Sequence, residues 1–539
     1  MAISRVHKGL AAFLCAGAIL MLAGTALLMS GCGSSQSSAN GPSVLTYSEQ
    51  SDPSAIDPAL ANESVGQNID HYLYEGLVKY DPTTGEAKPA LAESWDVNSD
   101  ATVFTFHLKP GTKFSDGQEV TANDFVYAWT RALSPAMASP TAQEILWQIK
   151  GAADLAAGKT DKLAGVEAVD KDTLKVTLES PMAEFPVSLG HPVCSPVPKA
   201  EAERQDVKYG DAPVGNGPFV IKEWVHNDHI TLEKNPNYEG DAPKVDKVVM
   251  KVIPDPATAV SELKAGHVDI VKGVDPGQMQ SLRNDSSVHL DQEKSDQVKL
   301  LGFNIANPPF DNVKLRQAIA LLIDRQTMAD KVLQGQSYPA DGYIPTTIFG
   351  YEGGVMPDYN PDKAKTLLVQ AGFPGGKGLP TMTLAYMSVP QAADAAQAIQ
   401  ASLKSAGIPC EIKGMEKGAF LDAMQSGQLS MFLVSWQEDS PGLDGFLQPL
   451  FHSSNIGATN VFTYNNADVD RLIDQARATP DATQRNNDYN QAERQIMADA
   501  PAIPIVFGQD VLVSAPRVTN FIYSPLGDLA LDQISVSNS

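Results

Sequence analysis

Cysteine is scarce in this chain. Four occur in 539 residues, and one of them, Cys15, sits inside an apolar N-terminal run. The other three, Cys32, Cys194 and Cys410, build no disulfide framework. Cys194 and Cys410 either pair with each other or stay as buried thiols, the commoner fate of such residues. Positive charge is short as well: 40 basic against 64 acidic side chains, a net charge of -24. Such an excess repels phosphate backbones and argues against nucleic acid as a partner. The motifs of catalysis and nucleotide binding are missing, with no G-x-S-x-G, no H-E-x-x-H, no G-x-x-x-x-G-K-[ST] and no G-x-G-x-x-G. The expectation is therefore no enzyme, no catalytic residue, no cofactor and no metal. His226 and His229 in "VHNDHI" have no third ligand nearby and read as a surface hairpin. His452 in "LFHSSN" has no nucleophile beside it and reads as a loop histidine. No period of 20–50 residues recurs, which excludes solenoids.

What is present is globular. A content of 43% hydrophobic and 19% charged residues supports large cores, and the length suggests two to four domains. The N-terminus runs from "MAISRVHKG" through the apolar "LAAFLCAGAILMLAGTALLM" to the small residues of "SGCGSSQSSANGPS". Basic, apolar and small regions in that order describe a secretory leader over residues 1–31. Met29-Ser30-Gly31-Cys32 resembles the lipobox of bacterial lipoproteins. The resemblance implies that Cys32 is acylated and that residues 32–40 tether a folded body to the outer face of the cell membrane.

Further on, strand-like runs alternate with amphipathic helices, the mark of mixed α/β architecture. "TVFTFHLKPGTKFSDGQEVT" reads as two strands joined by turns, punctuated at Asp116-Gly117. Thr121 fits a helix N-cap with Asp124 as its capping partner, and Phe125, Val126 and Trp129 share one helical face. Leu315, Ile319, Leu322 and Ile323 fall at helical spacing. Helices are expected on both sides of Pro480, then an apolar strand, "AIPIVF". The stretch "VSWQEDSPGLDGF" leaves an apolar strand at Trp436 and carries Glu438, Asp439 and Asp444 into a Pro/Gly-rich loop. On residue type alone, Trp436 closes a strand as a core aromatic, and the carboxylates cap helices or face water. Their spacing lacks the order of a calcium loop.

The segment "PALAESWDVNSDATVFTFHLKPGTKFSDGQEVTANDFVYAWTR" is similar to the signature region of peptide-class extracellular solute-binding proteins. The likeness continues through "AIDPALANESVGQNIDHYLYEGLVKYDPTTGE", "HPVCSPVPKAEAE", "GNGPFVIKEWVHNDHITLEKNPNYEG" and "FNIANPPFDNVKLRQAIALLIDRQTMADKVLQGQSYPADGYIP" to the Trp436 loop. It thus spans nearly the whole mature chain in family order, and "HPVCSPVPK" and "YPADGYIP" resemble the oligopeptide-binding branch.

This resemblance implies a two-lobed, periplasmic-binding-protein-like α/β fold of class II with mixed sheets, an extra domain and a cleft. Lobe I would take residues 41–72, 191–297 and 509–539, domain II residues 73–190 and lobe III residues 298–508. It implies that Asp439 pairs with the α-amine of a bound oligopeptide, beside Trp436, while main-chain groups of Ser435 and Gln437, faced by Ser64, hold the peptide backbone. It implies a monomer that delivers peptide to an ABC permease pair with separate ATPase subunits. Tripeptide-binding relatives carry an arginine for the peptide carboxylate where this chain has Leu433. Either another basic group, with Lys299 as the candidate, takes that part, or the far end of the peptide is unanchored. Other readings are the same fold serving a nickel chelate or sugar oligomer, and an extracellular peptidase or chaperone-like factor.

Overall fold

Two long strands carry the architecture. His289–Phe303 and Ala502–Ser514 span 15 and 13 residues and pair antiparallel at the centre of an eleven-stranded mixed sheet. The computed structural model describes residues 42–438 and 440–537; the expected leader and tether, Cys32 and Asp439 lie outside them. On one side of the central pair follow Ile270–Lys272, Val44–Glu49, Lys247–Val252, His229–Lys234 and Phe219–Val225. On the other follow Met431–Trp436, Met382–Met387 and Cys410–Met415. Each half buries its own core. Val298, Leu300, Phe303, Ile319 and Phe432 belong to one, and Leu45, Tyr47, Phe104, Trp129 and Val248 to the other. The fold is thus two-lobed, α/β and mixed, as the resemblance implies.

The two crossing strands change register between Lys294 and Val298. Gly508 lies at this break, where a Cβ would come within 2.3 Å of the Ser295 Oγ. Such a break bends and twists the strands locally, and it falls where the two halves of the sheet meet.

A second sheet of four strands, in the order Ala92–Val97, Val103–Leu108, Thr173–Thr177 and Val166–Asp170, packs with the helix Ala122–Leu133. The helix starts as its sequence predicts, with the Thr121 N–H and hydroxyl both donating to Asp124 at 2.8 Å. Phe125 and Trp129 are buried, whereas Val126 is only half-buried. From the helix's last turn Arg131 grips Asp57 with two bonds of 2.9 and 2.6 Å. One local expectation fails. The second strand of the Thr102–Thr121 stretch is reduced to a single bridge, Lys113 to Glu119. Its Ser115 N–H is drawn away to the Gly215 carbonyl at 2.7 Å, while Gly117 takes a left-handed turn at φ 92°.

Elsewhere the periodicities hold. Helices run Val313–Leu322, Ala467–Arg477 and Ala482–Asp499. His226 and His229 flank a hairpin turn, with His226 beside Trp224 and Asp52. His452 caps the short helix Ser453–Asn455. Cys194 and Cys410 are buried and unpaired, and burial pushes the Cys194 thiol far up. Among the described residues no helix is long and apolar enough to cross a membrane.

Asp444 corrects a sequence reading. It does not face water but is buried, accepting hydrogen bonds from Arg477 and, at 2.9 Å, from the Tyr489 hydroxyl. Its own N–H donates to Glu184 at 3.0 Å, and Arg485 stands 3.6 Å from the other Glu184 oxygen. Burial pushes the Glu184 carboxyl upward against the pull of Arg485. This cluster joins the four-stranded domain to the lobe that carries Trp436. Removing one partner of a buried ion pair leaves the other charge uncompensated. Arg477→Ala is therefore expected to lower stability by about 3–5 kcal/mol in urea unfolding, and Asp444→Asn combined with Arg477→Met to recover most of that loss.

Candidate functional site

A strand with neighbours on both sides has no backbone to offer, so the first question at the Trp436 loop is where pairing stops. Met431–Trp436 pairs antiparallel with the first crossing strand along its whole length, from Phe303 opposite Met431 to Val298 opposite Trp436. On its other side Met382–Met387 runs parallel but meets it only at Leu384 with Met431 and Ala385 with Phe432. From Leu433 onward the outer edge has no strand partner among the described residues. Alternate N–H and C=O groups there are available to an incoming extended chain. Ser435 lies on this open edge, and Gln437 follows just past the strand; both are exposed.

Three hollows adjoin the edge. The fork between the diverging strands holds one of about 330 Å³, with Met387, Phe420, Leu433 and Ile505 among its apolar walls and Gln297, Lys299, Gln391 and Ser435 as its polar groups. A second, of about 530 Å³, shares Gln297, Lys299 and Gln391. It reaches across the crossing strands to Gln50, Gln437 and Gln509, with Val274 and Asp275 from the other lobe. The third, of about 310 Å³, lies between the four-stranded domain and the loop after Trp436, with Trp147, Gln148 and Glu184 facing Trp436, Glu438 and Ser440. The two chain neighbours of Asp439 therefore line a cavity.

Trp436 is more than a core aromatic. Its indole N–H donates to the Gly445 carbonyl at 3.0 Å and to Glu438 at 3.1 Å, which closes the Gln437–Asp444 loop at its base. Glu438 is accordingly an acceptor for the indole, while Asp444 anchors the following helix from within. Ser64 is the first residue of the helix Ser64–Leu73, whose N-cap Glu63 accepts from the Val65 and Gly66 N–H groups. It presents a helix start to its surroundings, whereas Ser435 presents a strand edge. Reasoning on the sequence missed Glu184 and Arg477, whose only signal is charge in otherwise apolar surroundings, and it placed main-chain groups of Ser435 and Gln437 at an edge only through the family resemblance.

The chain resembles several known proteins. A model of "Bacterial extracellular solute-binding proteins, family 5 Middle" matches residues 86–458. The chain is 30% identical to heme-binding protein A of Haemophilus influenzae, over 96% of this chain and 99% of that protein. It is 33% identical to a probable deoxycholate-binding periplasmic protein of Escherichia coli, over 89% and 90%. It is 30% identical to an oligopeptide-binding protein of Bacillus subtilis, over 93% and 96%. Its fold is similar to the unliganded open form of a periplasmic murein tripeptide-binding protein, with a TM-score of 0.83 and 28% identity over 92% of this chain and 98% of that one.

Trp436→Phe keeps the apolar ring and removes both indole hydrogen bonds. With about 0.5–1.5 kcal/mol for each bond, the expected result is a stability lowered by about 1–3 kcal/mol, because both bonds lie within the protein and exist without ligand; urea unfolding checks it.

Proposed function

The chain belongs to the bacterial extracellular solute-binding proteins of family 5, and on that premise we propose that it is a lipid-anchored receptor that captures oligopeptides and delivers them to an ABC importer. Solute binding for transport, outside the cytoplasm and without catalysis, is the part that membership of the family carries. Peptide as the cargo rests chiefly on one observation: the backbone edge beyond Phe432 has no strand partner on its cleft side among the described residues. Main-chain pairing at such an edge gives affinity to any extended peptide without reading its side chains. The likeness to oligopeptide- and tripeptide-binding proteins points the same way.

In this reading Ser435 and Gln437 pair with the peptide backbone, the Ser64 helix start faces them, and Asp439 neutralises the peptide's α-ammonium. An ammonium enclosed without a partner loses hydration and gains nothing in return, so a carboxylate at that end sets where the peptide begins. The moving bodies would be residues 41–72, 191–297 and 509–539 with 73–190 beside them, and residues 298–508. Closing about the crossing strands would be favoured by contacts that exist only once peptide bridges both. The closed receptor, a monomer, then docks on a permease pair whose separate ATPase subunits supply the energy. A second reading, another solute on the same fold, draws support from the relatives named for heme and deoxycholate.

Asp439→Ala is expected to weaken binding of peptides with a free N-terminus by about 2–5 kcal/mol, and N-acetylating the peptide should weaken wild-type binding alike. Equal affinity for free and acetylated peptide would remove the amine assignment. Mass spectrometry of the co-purified ligand distinguishes the cargo readings: a mixture of short peptides supports the first, a single non-peptide solute the second. Cys32→Ser should shift the receptor from the membrane fraction to the soluble one.

A further inference from the structure

The hollow between the four-stranded domain and the Trp436 loop, of about 310 Å³, is lined unevenly in charge. Its walls carry four carboxylates, Glu144, Glu184, Glu438 and Asp444, and one base, Arg477. Arg477 is already committed to Asp444 within the lobe. Glu184 also faces Arg485 at 3.6 Å, and Glu438 accepts the Trp436 indole N–H. The lining keeps an acidic surplus all the same, and such a surplus in a narrow space concentrates cations.

A second observation is independent of that charge. Gln148 is 6% exposed and lines the hollow, yet its Oε1 accepts no hydrogen bond among the described residues. A buried acceptor without a donor is costly. The backbone holds this side chain in place, because the Glu179 N–H donates to the Gln148 carbonyl at 2.8 Å and Ile149 bridges to Leu178. The acceptor therefore suits a donor that enters the hollow from outside.

Two tryptophans complete the walls, Trp436 from the lobe and Trp147, 48% exposed, from the four-stranded domain. Tryptophan attracts a cation over its ring face more strongly than tyrosine or phenylalanine does. Ile145, Met182 and Pro449 add apolar surface for a hydrocarbon stem. Among the described residues no three carboxylates or histidines are grouped to hold a metal ion, so the acceptors are spread for a cation that is itself extended. A guanidinium, planar, stackable and rich in N–H donors, can engage amide, carboxylate and indole together.

We propose that this hollow is a site for a guanidinium or alkylammonium group on an apolar stem, apart from the α-ammonium assigned to Asp439. Glu438 and Ser440, the chain neighbours of Asp439, line it. For a peptide the group is thus the side chain of an arginine or lysine at the amino-terminal end, and in that form the proposal rests on the peptide reading. A free organic cation offers the same chemistry, and the experiment separates the two sources. Because the walls come from both the four-stranded domain and the Trp436 lobe, the bound cation bridges them.

The purified receptor, freed of co-purified ligand, is titrated calorimetrically with a tripeptide beginning in arginine and with its citrulline counterpart, which keeps the shape and loses the charge. The N-acetyl form of each follows, and agmatine serves as a free guanidinium compound. In wild type the arginine peptide is expected to bind about 10–100-fold more tightly than the citrulline peptide. Trp147→Ala should weaken the arginine peptide about tenfold and leave the citrulline peptide unchanged, with the melting temperature kept because the side chain is half exposed. Gln148→Met should weaken the arginine peptide and Gln148→Glu strengthen it, an opposition that a merely structural role would not produce. If the two peptides bind alike, or no peptide binds, while agmatine binds in a Trp147-dependent way, the site stands and its ligand is a free cation. If agmatine does not bind and the two peptides bind alike, or if the arginine preference survives in both Trp147→Ala and Gln148→Met, the site is overturned. Acetylation reports on Asp439 alone, so failure of the amine assignment is read separately.

Discussion

The site depends on a stretch of backbone that the fold leaves unpaired. Sheets normally satisfy their N–H and C=O groups strand by strand, and an exposed edge is a liability that proteins cover or blunt. Here Met382–Met387 could have covered the strand that ends in Trp436, yet the two part after Ala385 and Phe432. Beyond Ala385 the strand stays with its other neighbour, Tyr386 opposite Gly414 and Met387 opposite Met415, and Pro390 then opens the helix Pro390–Ser405 at its first residue, a position that suits proline. Just before it the Ser388 N–H bonds to the Met415 carbonyl at 2.8 Å, continuing the pairing with Cys410–Met415. The fork that results makes both the open edge and the apolar hollow beside it.

A cleft of this kind needs rigid walls and a narrow region where they can move. The double bond from Arg131 to Asp57 fixes the helix of the four-stranded domain to the segment before Ser64. The crossing strands, in contrast, lose register at one place, where Gly508 leaves no room for a side chain against Ser295. The buried cluster of Glu184, Asp444, Arg477 and Arg485 is a second link between the four-stranded domain and the Trp436 lobe. Any rotation about the crossing strands must carry this contact along or break it. Breaking it would leave the buried Glu184 without Arg485 and the Asp444 N–H, and that cost holds the two elements together.

Local features were legible in the sequence where their causes are local. The Thr121–Asp124 start, the helical face of Phe125 and Trp129 and the strand end at Trp436 each follow from residues within one or two turns of each other. Family likeness extended that to the two-lobed architecture. What escaped had distant causes. Asp444 reads as a loop carboxylate because its counter-charge, Arg477, is 33 residues away. The second strand after Val103 fails because Gly215 takes the Ser115 N–H across about a hundred residues of sequence. The edge at Ser435 was expected only through the family likeness, because it is set by which strands separate and composition does not record that. Asp439, the residue on which the sequence reading leans hardest, lies outside the described residues.

Lys299 stands on a crossing strand, an element that both halves of the sheet share. Its ammonium donates to Gln391, which donates to Gln336, which donates to the Val274 carbonyl, and Val274 belongs to the core packed around Ile253 and Val513. The strands lose register between Lys294 and Val298, one residue before Lys299. A chain of side-chain amides therefore ties the crossing strand to the core on its far side next to the place where backbone pairing is interrupted, so side chains supply there the continuity that the ladder lacks.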